Sequence, residues 1–109
     1  ADARANCERN GVDNCRFLVG DIRRTLDDVM FRPDVVIIDP PRAGMHPKVV
    51  RKVVEMAARR VVYVSCNPAT LARDLSFMTE AYRLVEVQPV DMFPHTYHVE
   101  SVALLERRR

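Results

Sequence analysis

The stretch from residue 61 to residue 81 constrains this fold more than any other part of the chain. Val61-Val62-Tyr63-Val64 is an apolar run of strand length, ended by Ser65-Cys66-Asn67-Pro68. Such a run bounded by turn residues predicts a fully buried strand over 61–64. Beyond it Leu71, Leu75 and Met78 recur at helical spacing, which predicts a helix over 69–81. Asn67 suits the N-cap of that helix, and Pro68 its first position, where a missing N–H costs nothing. Cys66 is thereby placed between a strand end and a helix start, whose positive pole stabilises a thiolate. The plainer reading of the same residues is a capped helix preceded by a small buried side chain.

The rest of the chain alternates in the same way. Residues 1–10 read as the tail of a helix stopped by Gly11. Phe17-Leu18-Val19 is a short strand closed by Gly20-Asp21, and Val35 to Ile38 is the next. His46-Pro47 opens a helix in which Val50, Val53, Val54 and Ala57 share one face. Leu84, Val85, Val87 and Val90 predict a half-exposed strand over 84–90, and a strand over 101–105 closes the sheet. Strands and helices joined by short connections predict an α/β fold with a mostly parallel sheet flanked by helices. The last two strands are free to pair antiparallel.

Two further segments carry chemistry. Val35-Val36-Ile37-Ile38 runs into Asp39-Pro40-Pro41-Arg42, an acid, two rigid residues and a base. Asp91-Met92-Phe93-Pro94-His95-Thr96-Tyr97-His98-Val99-Glu100 places titratable and aromatic groups between two strands. Ligands in open α/β sheets bind beyond the carboxyl ends of strands, so Asp39 and Cys66 are expected to face one crevice.

Composition excludes several classes. With 48% hydrophobic residues the chain is not a disordered segment. No apolar run approaches the ~20 residues that a membrane span requires, and nothing resembles a signal peptide. Three cysteines without C-x-x-C spacing argue against a disulfide framework or a zinc site. Cys7 and Cys15 are expected to pack as small apolar groups, and a reducing, cytoplasmic location fits. A net charge of +2 excludes a strongly basic nucleic-acid module while allowing a local patch. Arg107-Arg108-Arg109 reads as a solvated end.

Taken together, Asp39-Pro40-Pro41-Arg42, Ser65-Cys66-Asn67-Pro68 and the block from Asp91 to Glu100 resemble the RNA 5-methyluridine methyltransferases. That family uses S-adenosylmethionine to methylate C5 of uridine in tRNA or ribosomal RNA. The resemblance runs from residue 1 to about Glu106. The cysteine and histidine blocks are highly specific, whereas Asp-Pro-Pro alone occurs in several methyltransferases. It implies a Rossmann-like methyltransferase fold, with 1–109 as the C-terminal portion of one catalytic domain. The family's first two strands and glycine-rich cofactor loop are then expected upstream, and the chain reads as a fragment that is inactive by itself. The strand over 17–19 is then expected to stay unpaired, to pair in a new way or to be buried against another copy, and an exposed apolar edge of this kind invites self-association.

The resemblance also implies roles. Cys66 is the nucleophile that adds to C6 of uracil, and Glu100 is the base that removes the C5 proton. Read from composition alone, Glu100 is a solvated surface acid. His95 and His98 are rival bases whose ordinary titration lies near neutral, though their expected role is to hold the loop. Asp39 is expected beside cofactor and uracil, accepting a hydrogen bond from the methionine ammonium or the uracil imide, and Asp21 beside the adenine. As plainer alternatives, Asp39 caps a turn and Gly20-Asp21 is an ordinary turn. Arg42 either meets RNA phosphate or pairs with an acid, and Phe93 or Tyr97 either stacks on a base or packs in the core. The target uridine would be flipped from its stack. Two other functions remain open: an amino-group methyltransferase built on the Asp-Pro-Pro loop, which needs no thiolate, and a non-catalytic domain that binds RNA or itself.

Overall fold

The computed structural model describes residues 2–11, 13–15, 22–25, 32–90 and 100–108. Its elements are α1 (Asp2–Arg9), α2 (Ile22–Thr25), β1 (Val35–Ile38), α3 (Pro47–Met56), β2 (Arg60–Ser65), α4 (Pro68–Ser76), β3 (Tyr82–Val90) and β4 (Glu100–Arg107). The strand expected over 17–19 lies outside the described residues.

The four strands form one sheet in the order β1-β2-β4-β3. β1 and β2 run parallel, joined through α3, as a strand–helix–strand unit demands. β4 runs antiparallel to both β2 and β3. The described sheet is therefore mixed rather than mostly parallel. The last strand also does not close the sheet from its edge. It inserts between β2 and β3, because Val61, Tyr63 and Ser65 stand opposite Leu105, Ala103 and Ser101. This places buried Val61 and Tyr63 against buried Leu105 and Ala103 and leaves β3, exposed along most of its length, outermost.

One face of the sheet carries the core. Val49, Val50 and Val53 of α3 and Leu71 of α4 pack with Val61, Tyr63, Ala103 and Leu105, and Met78 and Tyr82 complete the cluster. Both helices start as their sequences dictate. His46 caps α3 by accepting the Lys48 N–H at its Nδ1, and Pro47 follows. Asn67 caps α4, with Pro68 next. α4 ends at Ser76, short of the expected 81. Tight turns continue to Tyr82, where the Ala81 and Tyr82 amides both donate to the Met78 carbonyl. Those turns still bury Met78, so helical spacing survives where the helix does not.

Only alternate residues of β2 are fully buried, which corrects the expectation of a strand buried on both sides. The second face has no comparable cover among the described residues: Ile37 is 72% exposed and Val35 50%. At α1, the Gly11 N–H donates to the Glu8 carbonyl and Gly11 takes a φ of 68°, the expected helix stop.

Met78 is fully buried whereas its neighbour Phe77 is 57% exposed. Met78→Ala is expected to lower the unfolding free energy by about 2–5 kcal/mol, and Phe77→Ala by about 0.5 kcal/mol or less. Urea denaturation of both variants checks this ordering.

Candidate functional site

The turn that carries Cys66 is held from both sides. The buried Ser65 hydroxyl donates to the Asn67 carbonyl at 2.9 Å and accepts the Asn67 N–H at 3.1 Å. Asn67 in turn accepts the Ala69 N–H at its side-chain oxygen, 3.0 Å away. Its carbonyl also receives the Thr70 hydroxyl at 3.1 Å. Cys66 sits at the tip of this bonded turn as a free, partly buried thiol.

The same turn grips the loop that follows β1. The Asn67 side-chain amide and the Thr70 hydroxyl both donate to the Arg42 carbonyl, at 3.3 and 3.2 Å. Two residues on, Gly44 has a φ of 83° and donates its N–H to the Pro41 carbonyl at 2.8 Å. A Cβ there would come within 2.6 Å of Arg73 Nη2 and 2.9 Å of Asp74 Oδ2, so glycine permits the loop to touch α4.

Asp74 closes the arrangement. Its side chain has no exposed surface. Oδ2 accepts the Met45 N–H at 2.9 Å and the Tyr63 hydroxyl at 2.5 Å, and Oδ1 meets Arg73 Nη2 at 3.2 Å. The Arg73 guanidinium also donates to the Ala43 carbonyl at 2.9 Å. Burial, followed by the hydrogen bond to Asp74 and the charge on that carboxylate, pushes the Tyr63 phenol well above its ordinary range.

Strand register decides which expected site residues share an end of the sheet. Ile38 stands beside Tyr63 in the parallel ladder, so Asp39 leaves β1 level with Val64, near the end of β2. Ser65 pairs with Ser101, which puts Cys66 and Glu100 one step beyond the final rung, on neighbouring strands. Antiparallel partners have Cα atoms about 4.5–5.5 Å apart. Cys66 and Glu100 are partly buried, and Asp39 is exposed. A cavity of about 470 Å³ adjoins this end of β1, lined by Ile38, Asp39, Pro40, Pro41, Met45 and His46 among others.

Asp21, Phe93, His95, Tyr97 and His98 lie outside the described residues. The Arg42 carbonyl holds the loop while Arg42 itself stays exposed. Cys15 is exposed rather than packed: it lies in an irregular segment with no described element over it. The Cys7 side chain is outside the description. Among the described residues no cluster of His, Cys, Asp or Glu is arranged to hold a metal, and no helix is long and apolar enough to cross a membrane.

Sequence reasoning missed Ser65, Tyr63, Gly44, Arg73 and Asp74 as structural members of this site. Asp74 had a readable signal. It falls between Leu71 and Leu75 on the apolar face of α4, where an acid needs buried partners.

A family model describing tRNA (uracil-5-)-methyltransferases matches residues 1–108. An uncharacterized RNA methyltransferase of Caldanaerobacter subterraneus subsp. tengcongensis is 54% identical over 110 residues, covering 97% of this chain and 24% of the relative. One from Bacteroides thetaiotaomicron is 52% identical over 111 residues, covering 98% and 24%. The chain thus spans about a quarter of the length of these relatives. Among solved structures, the Pyrococcus abyssi tRNA (uracil-54, C5)-methyltransferase in complex with S-adenosyl-L-homocysteine superposes with a TM-score of 0.80 at 47% identity, over 94% of this chain and 25% of that one. The N-methyltransferase NodS of Bradyrhizobium japonicum reaches a TM-score of 0.68 over 98% of this chain and 62% of that one; at 15% identity it shares only the fold.

The Tyr63 phenol gives a pH prediction. Above about pH 10 an unfolded tyrosine releases its proton while folded Tyr63 keeps it. The native state then binds more protons, so unfolding free energy falls as pH rises from there. Tyr82, also raised by burial, adds a slope of the same sign. Tyr63→Phe is expected to reduce the loss measured by urea denaturation between about pH 9 and about pH 11; an unchanged loss contradicts the assignment.

Proposed function

The chain belongs to the tRNA (uracil-5-)-methyltransferase family, and from that premise we propose that residues 1–109 form part of the catalytic domain of an enzyme that methylates C5 of a uridine in tRNA or ribosomal RNA, in the cytoplasm. The observation that carries the proposal is the register that brings Cys66 and Glu100 to adjacent strand ends, beside the loop bearing Asp39.

C5 of uracil is a weak nucleophile. The Cys66 thiolate adds to C6, and the displaced electron pair gives C5 and the C4 carbonyl the character of an enolate. When bound, S-adenosylmethionine supplies an electrophilic sulfonium methyl to that carbon. Glu100 then takes the C5 proton, the C5–C6 double bond re-forms, and the Cys66 sulfur leaves as thiolate. The new C–C bond replaces the C5–H bond and the methyl–sulfonium bond of the cofactor, which would leave as a neutral thioether, and the enzyme is regenerated once Glu100 passes its proton to solvent.

The cavity beside β1 suits one end of the cofactor. Asp39, the one carboxylate among its described lining residues, matches an ammonium, and Ile38, Pro40, Pro41 and Met45 match a thioether chain. Pro40 and Pro41 fix φ on either side of the peptide joining them and so hold Asp39 near the strand end. We assign adenine contact to Asp21. Among the described residues no strand pairs with the outer edge of β1; in this proposal that edge belongs to upstream strands of the same domain, and in a chain lacking them it pairs with a second copy.

5-Fluorouridine RNA tests the chemistry, in a protein that joins this chain to the upstream region its relatives carry. Fluorine cannot leave as a proton does, so a stable protein–RNA adduct is expected to accumulate, and Cys66→Ala is expected to abolish it. Glu100→Gln is expected to accumulate an adduct on ordinary RNA. Methylation retained by Cys66→Ala would favour an amino-group methyltransferase, and rapid turnover by Glu100→Gln would move the base role to His95 or His98.

A further inference from the structure

The proposed chemistry uses Asp39, Cys66 and Glu100 but leaves unexplained why a carboxylate is entombed in α4, eight residues beyond Cys66. Burying Asp74 is costly unless every partner is supplied, and here they all are. Apolar packing holds a helix on a sheet equally well, as Leu71 and Met78 do nearby. A carboxylate adds direction. One oxygen takes both the Met45 N–H, at the end of the loop that carries Asp39, and the hydroxyl of Tyr63, three residues before Cys66 on β2.

We infer that Asp74 is a positioning residue, which references the Asp39 loop and the Cys66 strand to a single buried anion. The inference rests on the roles proposed above for Asp39 and Cys66. The loop is fixed at both ends: Ile38 lies in the parallel ladder and Met45 is bonded to Asp74. Between them two prolines lock φ, and Gly44 donates back to Pro41, so Asp39 has little freedom of its own. Arg73 neutralises the other carboxylate oxygen and reaches the Ala43 carbonyl, extending the grip along the loop. Gly44 is part of the device, because a side chain there would meet the Asp74 oxygen and push the loop from α4.

Four variants test this in the enzyme joined to its upstream region. Asp74→Ala removes the anion. Gly44→Ala leaves the anion but displaces the loop, and it serves alone if Asp74→Ala fails to fold. Met78→Ala lowers stability through the core without touching the loop. Asp39→Ala sets the reference effect. Asp74→Ala and Gly44→Ala are each expected to raise, by about tenfold, the KM that Asp39→Ala raises, with a smaller change in kcat. Both are expected to speed hydrogen exchange of the Met45 amide. Met78→Ala is expected to leave KM within about twofold. In the Asp39→Ala/Asp74→Ala double variant the KM effects are expected not to multiply, as required when one residue acts through the other.

KM effects that multiply, or Met45 exchange no faster than in Met78→Ala, would overturn the inference. If Asp39→Ala changes no KM, it is the contact role of Asp39 that fails, and the positioning role is then decided by exchange alone.

Discussion

Core packing sets how β2 and β4 pair, and that pairing sets which residues meet at the end of the sheet. Buried Val61 and Tyr63 face buried Leu105 and Ala103 across that pair. A slip of one residue would turn those side chains to the opposite face of the sheet. The hydrophobic pattern therefore fixes the register, and the register in turn fixes which residues leave the sheet together. Ser65 and Ser101 form the last rung, so Cys66 and Glu100 emerge as neighbours although 34 residues separate them in the chain. A packing requirement in the core thus sets the spacing of the two groups assigned to the chemistry.

Around that pair the polar contacts are mostly to backbone. The Arg42 and Ala43 carbonyls and the Met45 amide are held by side chains of α4 and its cap. Such contacts fix where the loop runs without dictating its side chains, so the positions of Asp39 and Arg42 do not depend on their own side chains for support. Asp74 and Ser65, which hold the arrangement, are buried, while Cys66, Glu100 and Asp39, proposed for the chemistry, are half-buried or exposed.

Much of this was legible in the sequence. The helix starts at His46-Pro47 and Asn67-Pro68 follow from caps and prolines, which act locally. The strand at 35–38 and the position of Cys66 between strand and helix follow from apolar runs and turn residues. Strand order was less legible, because whether the last strand enters the middle of a sheet or adds at its edge is decided by which faces bury one another. The end of α4 was misjudged since Met78 keeps helical spacing while the chain has already turned. The Asp74 cluster was invisible for a related reason: its partners are a backbone amide 29 residues away and a phenol that reads as one more apolar residue of β2.

A covalent link measures directly whether Cys66 and Glu100 stand side by side. A disulfide requires Cα atoms about 4.4–6.8 Å apart, the separation of antiparallel partners. With Glu100→Cys in place, mild oxidation followed by peptide mapping is predicted to find Cys66 bridged to the introduced thiol in the folded protein. A free Cys66 under those conditions, with the introduced thiol linked to Cys7 or Cys15 instead, would show that the two residues are not neighbours.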